Sequence, residues 1–186
     1  MTSFDLSRLA RAAALCIASC AMVGGAYAAD GDKTVYKQTK DSAKAAYDTA
    51  KKQCDASSGN AKDICVAEAK AVRTKAEGDA EVTYKNTAKA RERAAHENAE
   101  ANYKVAKERC DDKAGNDKDV CVKEAKAVQT RGMADAKAML KTSDARSDAS
   151  KDKRQADYKV AAEKCDAMSG DAKSSCVSAA KVRYGM

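Results

Sequence analysis

The 186-residue chain carries 35 Lys and Arg residues against 28 Asp and Glu residues, a net charge of +7, and it contains no proline and no tryptophan. Its abundance of Ala, Lys and Glu favours helices and excludes a thick globular core, because Ile64 and Leu140 are the only Ile and Leu beyond residue 28. The charges are mixed in sign along the chain, which indicates a solvated helical surface, and the absence of an aromatic stacking platform argues against a nucleic-acid partner.

Residues 1–28 predict a secretory signal peptide. Arg8 and Arg11 form its positive start, the following stretch is apolar but short for a membrane span, and small residues precede a cleavage site after Ala28. We therefore expect export to the periplasm, with no transmembrane span left after cleavage. A lipoprotein-like sequence ends at Cys20, so lipid anchoring at Cys20 is the alternative.

One short pattern, Tyr-x6-Cys-Asp-x3-Gly-Asn/Asp-x4-Cys, occurs three times after the signal peptide. Its copies begin at Tyr47, Tyr103 and Tyr158, recur every 55 to 56 residues, and contain every cysteine beyond residue 28. The pattern predicts that region 29–186 consists of three helical hairpin repeats. Their approximate bounds are 36–80, 84–136 and 150–186.

The residues between the two cysteines of each repeat predict a tight turn between helices. The glycine occupies the position that follows a helix C-terminus, and the next residue is expected to cap the second helix. The aspartate after each first cysteine, as in Asp55, is interpreted as a solvated turn residue or as the partner of a nearby lysine such as Lys51, Lys107 or Lys62. The predicted turn and cap residues are Gly59 and Asn60, Gly115 and Asn116, and Gly170 and Asp171.

Folding each turn into an antiparallel hairpin places the first cysteine of a repeat opposite the second. The seam continues at coiled-coil spacing, with Tyr47 expected opposite Val72 and Tyr103 opposite Val128. Six cysteines in an exported chain are expected to be oxidised, and each local bridge closes a loop that stabilises by about 3 kcal/mol in the loop-entropy model. The predicted disulfides are Cys54–Cys65, Cys110–Cys121 and Cys165–Cys176.

Between the turns, the sequence predicts an all-α fold of long antiparallel helical hairpins in a coiled-coil-like rod with disulfide-stapled turns. Gly78 and Gly132 weaken the helical pattern, and whether the helices continue through them is left open. The polar stretch 142–152 favours a kink or fraying. The expected helices are 34–58, 60–114, 116–169 and 171–184.

No catalytic, cofactor-binding or metal-binding constellation stands out, so a non-enzymatic protein is expected. His96 is the single histidine and is interpreted as a solvated helix residue, so no histidine is left to serve as the base of an acyl-transfer triad. Ten residues between paired cysteines do not fit zinc-ligand spacings. The sequence therefore predicts a periplasmic or cell-envelope helical structural or interaction protein. A periplasmic thiol-based metal-binding or redox-sensing protein and a stress-related periplasmic holdase are the alternatives.

With its export signal and Ala/Lys/Glu-rich helical tract over residues 34–184, the chain resembles uncharacterised exported helical proteins of Gram-negative bacteria. Such proteins are described as cell-envelope or TolA-like by composition. The resemblance implies a location in the envelope. We expect an unidentified protein or an anionic envelope component as partner, and self-association into a homo-oligomer is a further expectation, since an alanine-rich seam gains from additional helices.

Overall fold

The computed structural model describes residues 32–186, and this part of the chain forms five α-helices and no β-strand. The predicted all-α fold of antiparallel helical hairpins with disulfide-stapled turns is confirmed. The expectations for the signal peptide at residues 1–28 and for Cys20 concern residues outside this range. The helices are α1 (Lys33–Cys54), α2 (Gly59–Lys85), α3 (Ala88–Cys110), α4 (Gly115–Cys165) and α5 (Gly170–Tyr184).

Each helix packs against its neighbours in the chain: α1 on α2, α2 on α3, α3 on α4, and α4 on α5. Within the described residues, α5 contacts only α4. Because α4 has 51 residues and α3 has 23, α4 is about 75 Å long and extends well beyond its contact with α3, which is about 35 Å long. The α1–α2 turn and the α3–α4 turn therefore lie at one end, and the α4–α5 turn lies far from them.

The prediction of one unbroken helix over 60–114 is wrong, because the chain folds back at Asn86. This residue adopts the left-handed conformation (φ 44°, ψ 35°), and its N–H donates to the Val82 carbonyl. The extended Thr87 then caps α3, since its side chain accepts a hydrogen bond from the Ala90 N–H. Asparagine tolerates the left-handed region and threonine is a favoured helix cap, so these two residues form a tight interhelical turn.

Both internal glycines lie inside continuous helices, which answers the question that the sequence left open. A Cβ added to Gly78 would lie 3.1 Å from the Ala94 Cβ, and one added to Gly132 would lie 3.3 Å from the Ala99 Cβ. The two glycines therefore let α2 approach α3, and α3 approach α4, closely. The fraying expected at 142–152 is also absent from the described helix α4, which runs through this stretch unbroken.

The core of the described residues is thin and consists largely of alanine and cysteine. The fully buried side chains of largest volume are Cys54, Cys110 and Cys165. The expected valine layers are not formed, because Val72 and Val128 are 69% and 59% exposed. Packing between helices therefore buries little apolar area per residue, as small side chains require.

Candidate functional site

The three disulfide-clamped turns are the candidate functional feature, because the same local structure occurs three times. Each turn joins two antiparallel helices, and its Cα–Cα distance across the disulfide is 5.6, 5.7 or 5.7 Å. In every case the first cysteine ends a helix and is 1% exposed. The bridged pairs are Cys54–Cys65, Cys110–Cys121 and Cys165–Cys176.

The backbone of the three turns is nearly identical, which shows that the repeated residues specify one conformation. After the first cysteine the chain makes a turn closed by a 3.0 Å hydrogen bond to that cysteine's carbonyl, as from the Ser57 N–H to Cys54. An extended residue follows, such as Ser58 at φ −132°, ψ 164°. The chain then enters the second helix through a glycine with positive φ, 55° at Gly59, 55° at Gly115 and 58° at Gly170.

The detailed capping prediction is wrong in all three turns. The glycine opens the second helix instead of following the first, which ends at the cysteine. Asn60, Asn116 and Asp171 do not cap, because the N-cap positions are Ser58, Ala114 and Ser169, and none of these makes a side-chain cap hydrogen bond. The disulfide draws the helix ends together, so one glycine at positive φ supplies the remaining change of direction.

An ion pair spans every turn beside the disulfide. The Asp55 carboxylate lies 2.8 Å from the Lys62 Nζ, in agreement with the interpretation of Asp55 as a lysine partner. The equivalent pairs are Asp111–Lys118 at 2.8 Å and Asp166–Lys173 at 3.0 Å. Exposed pairs of this kind contribute little stability, so they accompany the turn that the disulfide and the glycine form.

These ion pairs shift the acid–base equilibria of the first two turns. The hydrogen bond and charge of Lys62 lower the pKa of Asp55, and Asp55 raises the pKa of Lys62 in return. Lys118 lowers the pKa of Asp111 in the same way, chiefly by its hydrogen bond. Both turns therefore keep their carboxylates charged at neutral pH and somewhat below it.

The first turn is attached to the second by Asn60. Its side-chain amide donates to the Glu108 carbonyl at 2.9 Å and to the Asp112 carboxylate at 2.6 Å. An ion pair between Arg109 and Glu68, at 2.6 Å, lies on the same interface. The first two predicted turns therefore form one end of the molecule, whereas the third stands apart on the α4–α5 hairpin.

Two of the three repeat tyrosines pack beside cations rather than in a buried layer. The Arg73 guanidinium lies 5.6 Å from the Tyr47 ring centre, and the Lys126 ammonium lies 5.1 Å from that of Tyr103. At the opposite end of the first hairpin, the rings of Tyr36 and Tyr84 stack with centroids 4.8 Å apart. The aromatic rings thus close the hairpins at the surface through cation–π and stacking contacts.

The remaining candidate sites offer little chemistry. His96 is half-buried on α3. A groove of about 270 Å³ between α2 and α3 is lined by alanines, a threonine, two lysines and three glutamates, including Lys70, Glu77 and Glu100. Within residues 32–186, no group of three or more His, Cys, Asp or Glu side chains is placed to hold a metal ion together.

The sequence pattern missed the interhelical turn at Asn86 and Thr87, although a signal was present. An asparagine followed by threonine in a long proline-free helical tract combines a residue that tolerates positive φ with a good helix cap. The partners Lys118 and Lys173 were also missed. They follow their aspartates by the same seven positions as Lys62 follows Asp55.

Within the described range, no helix is both long enough and apolar enough to cross a bilayer. Comparison of the chain with protein-family models, with curated proteins and with solved structures found no match. The function is therefore inferred from the residues and geometry of the chain itself.

Proposed function

We propose that this protein is a non-enzymatic structural or interaction protein of the periplasm or cell envelope, in which disulfide-clamped turns hold long helices at set positions. The observation that carries the proposal is the threefold occurrence of one clamped turn, with the same disulfide, glycine conformation and ion pair. A catalytic site requires one particular cluster of reactive groups, whereas a repeated structural joint serves to build a shape.

The energetics support a structural role for the disulfides. Helices that meet through alanine bury little apolar area, so the hydrophobic contribution per residue is small at about 25 cal/mol per Å². Each disulfide closes a short loop and contributes about 3 kcal/mol in the loop-entropy model. Disulfides persist in oxidising compartments, and this agrees with the signal peptide expected at residues 1–28.

The long exposed surface of α4 supports an interaction role. Its residues 144–157 are all exposed and lie between the part of α4 packed on α3 and the part packed on α5. A helix exposed on all sides over several turns gains no tertiary stabilisation there. Such a segment separates the two packed regions and leaves a continuous face for a partner.

The alternative of thiol-based metal binding or redox sensing receives less support from the geometry. Sensor disulfides are exchanged by attacking thiolates, which must reach a sulfur. One sulfur of each pair belongs to a cysteine that is only 1% exposed, namely Cys54, Cys110 or Cys165. The buried sulfurs favour stable structural bridges over exchangeable ones.

Two experiments test the proposal. A non-reducing peptide map with thiol counting, on protein recovered from the periplasm of a Gram-negative host, should give three local bridges and no free thiol. The oxidised protein used as bait in envelope extracts should enrich a specific envelope protein or anionic component, and reduced, alkylated bait should lose it. Free thiols in the recovered protein, or a substrate turned over by it, would contradict the proposal.

A further inference from the structure

The interface between α2 and α3 provides a template for a second interface. In it Gly78 meets Ala94, and Asn60 reaches the end of α3 at Glu108. Ala94 belongs to a stripe of α3 that is buried against α2. On α2 the stripe comprises Asn60, Ile64, Ala71, Thr74 and Gly78, and on α3 it comprises Ala90, Ala94, Ala101, Val105 and Glu108.

Helix α4 carries both halves of this interface on one continuous helix. Advancing the α2 stripe by the 56-residue repeat leads to Asn116, Val120, Ala127, Thr130 and Ala134. Advancing the α3 stripe by the 55-residue repeat leads to Ala145, Ala149, Ala156, Val160 and Glu163. The ten positions therefore carry the same or a similar residue in both places, whereas Lys123 replaces the half-buried Ala67 of the template.

The two stripes on α4 are exposed, whereas the corresponding positions of α2 and α3 are buried or half-buried. Val120 is 43% exposed and Val160 is 56% exposed, but Val105 is only 9% exposed. Successive residues of an α-helix are rotated by about 100° around its axis. With this rotation, the residues of both stripes lie on one side of α4, within an arc of about 120° around the axis. Helices α3 and α5 pack on the other side, at positions such as Ala136 and Cys165.

We propose that α4 pairs antiparallel with α4 of a second copy of this chain. The two stripes lie on one continuous helix, so they cannot pack against each other within one chain. In an antiparallel pair of chains, the first half of one α4 packs against the second half of the other. In the template, Gly78 lies opposite Ala94. If the two copies of α4 pair in the same register, Ala134 of one copy lies opposite Ala149 of the other. The two-fold axis passes between Lys141 and Thr142, and the α2–α3 type of contact is formed twice, as a self-complementary interface requires.

The charges along α4 fit this register. In the template, Arg109 pairs with Glu68 at 2.6 Å. The equivalent positions on α4 are Lys164 and Glu124, again a base and an acid. The pairing therefore places opposite charges together at both ends of the α4 dimer.

A second ion pair of the α2–α3 interface also has an oppositely charged equivalent on α4, but with the acidic and basic residues interchanged. Glu81 pairs with Arg93 across the α2–α3 interface. The equivalent positions on α4 are Lys137 and Asp148, so acid and base have changed places but remain complementary. Like charges at these positions would have opposed the pairing.

The exposed face of α4 is covered by a second copy and not by the same chain folding back on itself. The reason is that α4 lacks the local residue that turns the chain between α2 and α3. The chain folds back after Lys85 at Asn86, which adopts positive φ. The equivalent of Asn86 is Thr142, and a β-branched residue is strongly disfavoured in that conformation. Accordingly α4 continues as one helix past Thr142 and Ser143.

Sedimentation equilibrium of the oxidised protein tests the pairing. We expect a dimer, and Ala134→Glu should raise its dissociation constant about 100-fold or more, because each new carboxylate enters the interface near Asp148 of the other copy. Ala134 is exposed in the single chain, so this substitution leaves the fold intact, which equal circular dichroism checks. The matched control is Ser147→Glu on the opposite side of α4, which should leave the dissociation constant unchanged.

Cross-linking with a carbodiimide in a mixture of isotope-labelled and unlabelled protein identifies which chains are joined. The register predicts a Lys137–Asp148 cross-link, with about half of it joining labelled to unlabelled chains after subunit exchange. A cross-link confined to single chains would show that α4 folds back instead. A monomer at all concentrations, or a dimer indifferent to Ala134→Glu, would equally overturn the proposal and leave this face to another protein. None of these results depends on the periplasmic role proposed above.

Discussion

Loss of the third disulfide should unfold α5 alone. In the variant Cys165→Ala/Cys176→Ala, the 15-residue helix α5 keeps only its contact with α4, because it touches no other helix of the described chain. Isolated helices of this length are marginal in water. The fold of the other four helices does not involve α5, so we expect it to survive.

The expected magnitude follows from the length of the closed loop. Cys165 and Cys176 are 11 positions apart, and a loop of this size contributes about 3 kcal/mol in the loop-entropy model. This free energy corresponds to an approximately 150-fold fall in the protection of α5 amides against hydrogen exchange. Amides in α2 and α3 should keep their protection within about threefold.

Hydrogen exchange followed by mass spectrometry measures this directly, with peptides from α5 compared with peptides from α3. The matched variant Cys110→Ala/Cys121→Ala removes a loop of equal length from the α3–α4 turn, where both helices pack on further parts of the chain. It should lower protection across the packed α1–α4 region rather than in one helix. Equal loss of protection throughout the chain in both variants would refute the independence of the α4–α5 hairpin.

Three further predictions concern helix contact, pH and the link between turns. Gly78→Ala should destabilise by about 1 kcal/mol in thermal or denaturant unfolding, because overpacking against Ala94 outweighs the gain in helix propensity. Asp55 should titrate below its ordinary value of 3.8 by NMR, and Lys62→Met should return its pKa toward that value. Since the folded pKa is the lower one, the pair stabilises above about pH 3.8, and this contribution is lost as the pH falls through the folded pKa. Asn60→Ala should cost about 1–2 kcal/mol in denaturant unfolding, because it removes both hydrogen bonds to the second turn.

Each of these predictions has a control in the same region. The second change Ala94→Gly should offset part of the effect of Gly78→Ala, and additive losses would show that the two residues do not press on each other. An Asp55 pKa unaffected by Lys62→Met would contradict the ion pair. Ser58 lies two positions before Asn60 and makes no side-chain cap hydrogen bond, so Ser58→Ala should change stability by less than about 0.5 kcal/mol. An equal loss in Ser58→Ala would show that Asn60 has no special role.

The local structure of the repeats could be predicted because its causes lie close together in sequence. Two cysteines 11 positions apart on either side of a glycine turn can bridge only if the chain reverses between them. The lysine partner of Asp55 lies in the same short stretch. The capping details were wrong because the turn has several residues with almost equal local preferences: Ser58 holds the N-cap position assigned to Asn60, and the first helix already ends at Cys54.

The sequence by itself therefore determined helical content, the positions of the three turns and the pairing of helices next to each turn. The tertiary structure completed the fold-back at Asn86. The local preference of asparagine over threonine for the left-handed conformation is only about 1 kcal/mol, and the packing of α2 on α3 supplies the rest. It also decided that Gly78 is a contact residue rather than a helix break, since the Ala94 methyl group that requires a glycine arrives from another helix.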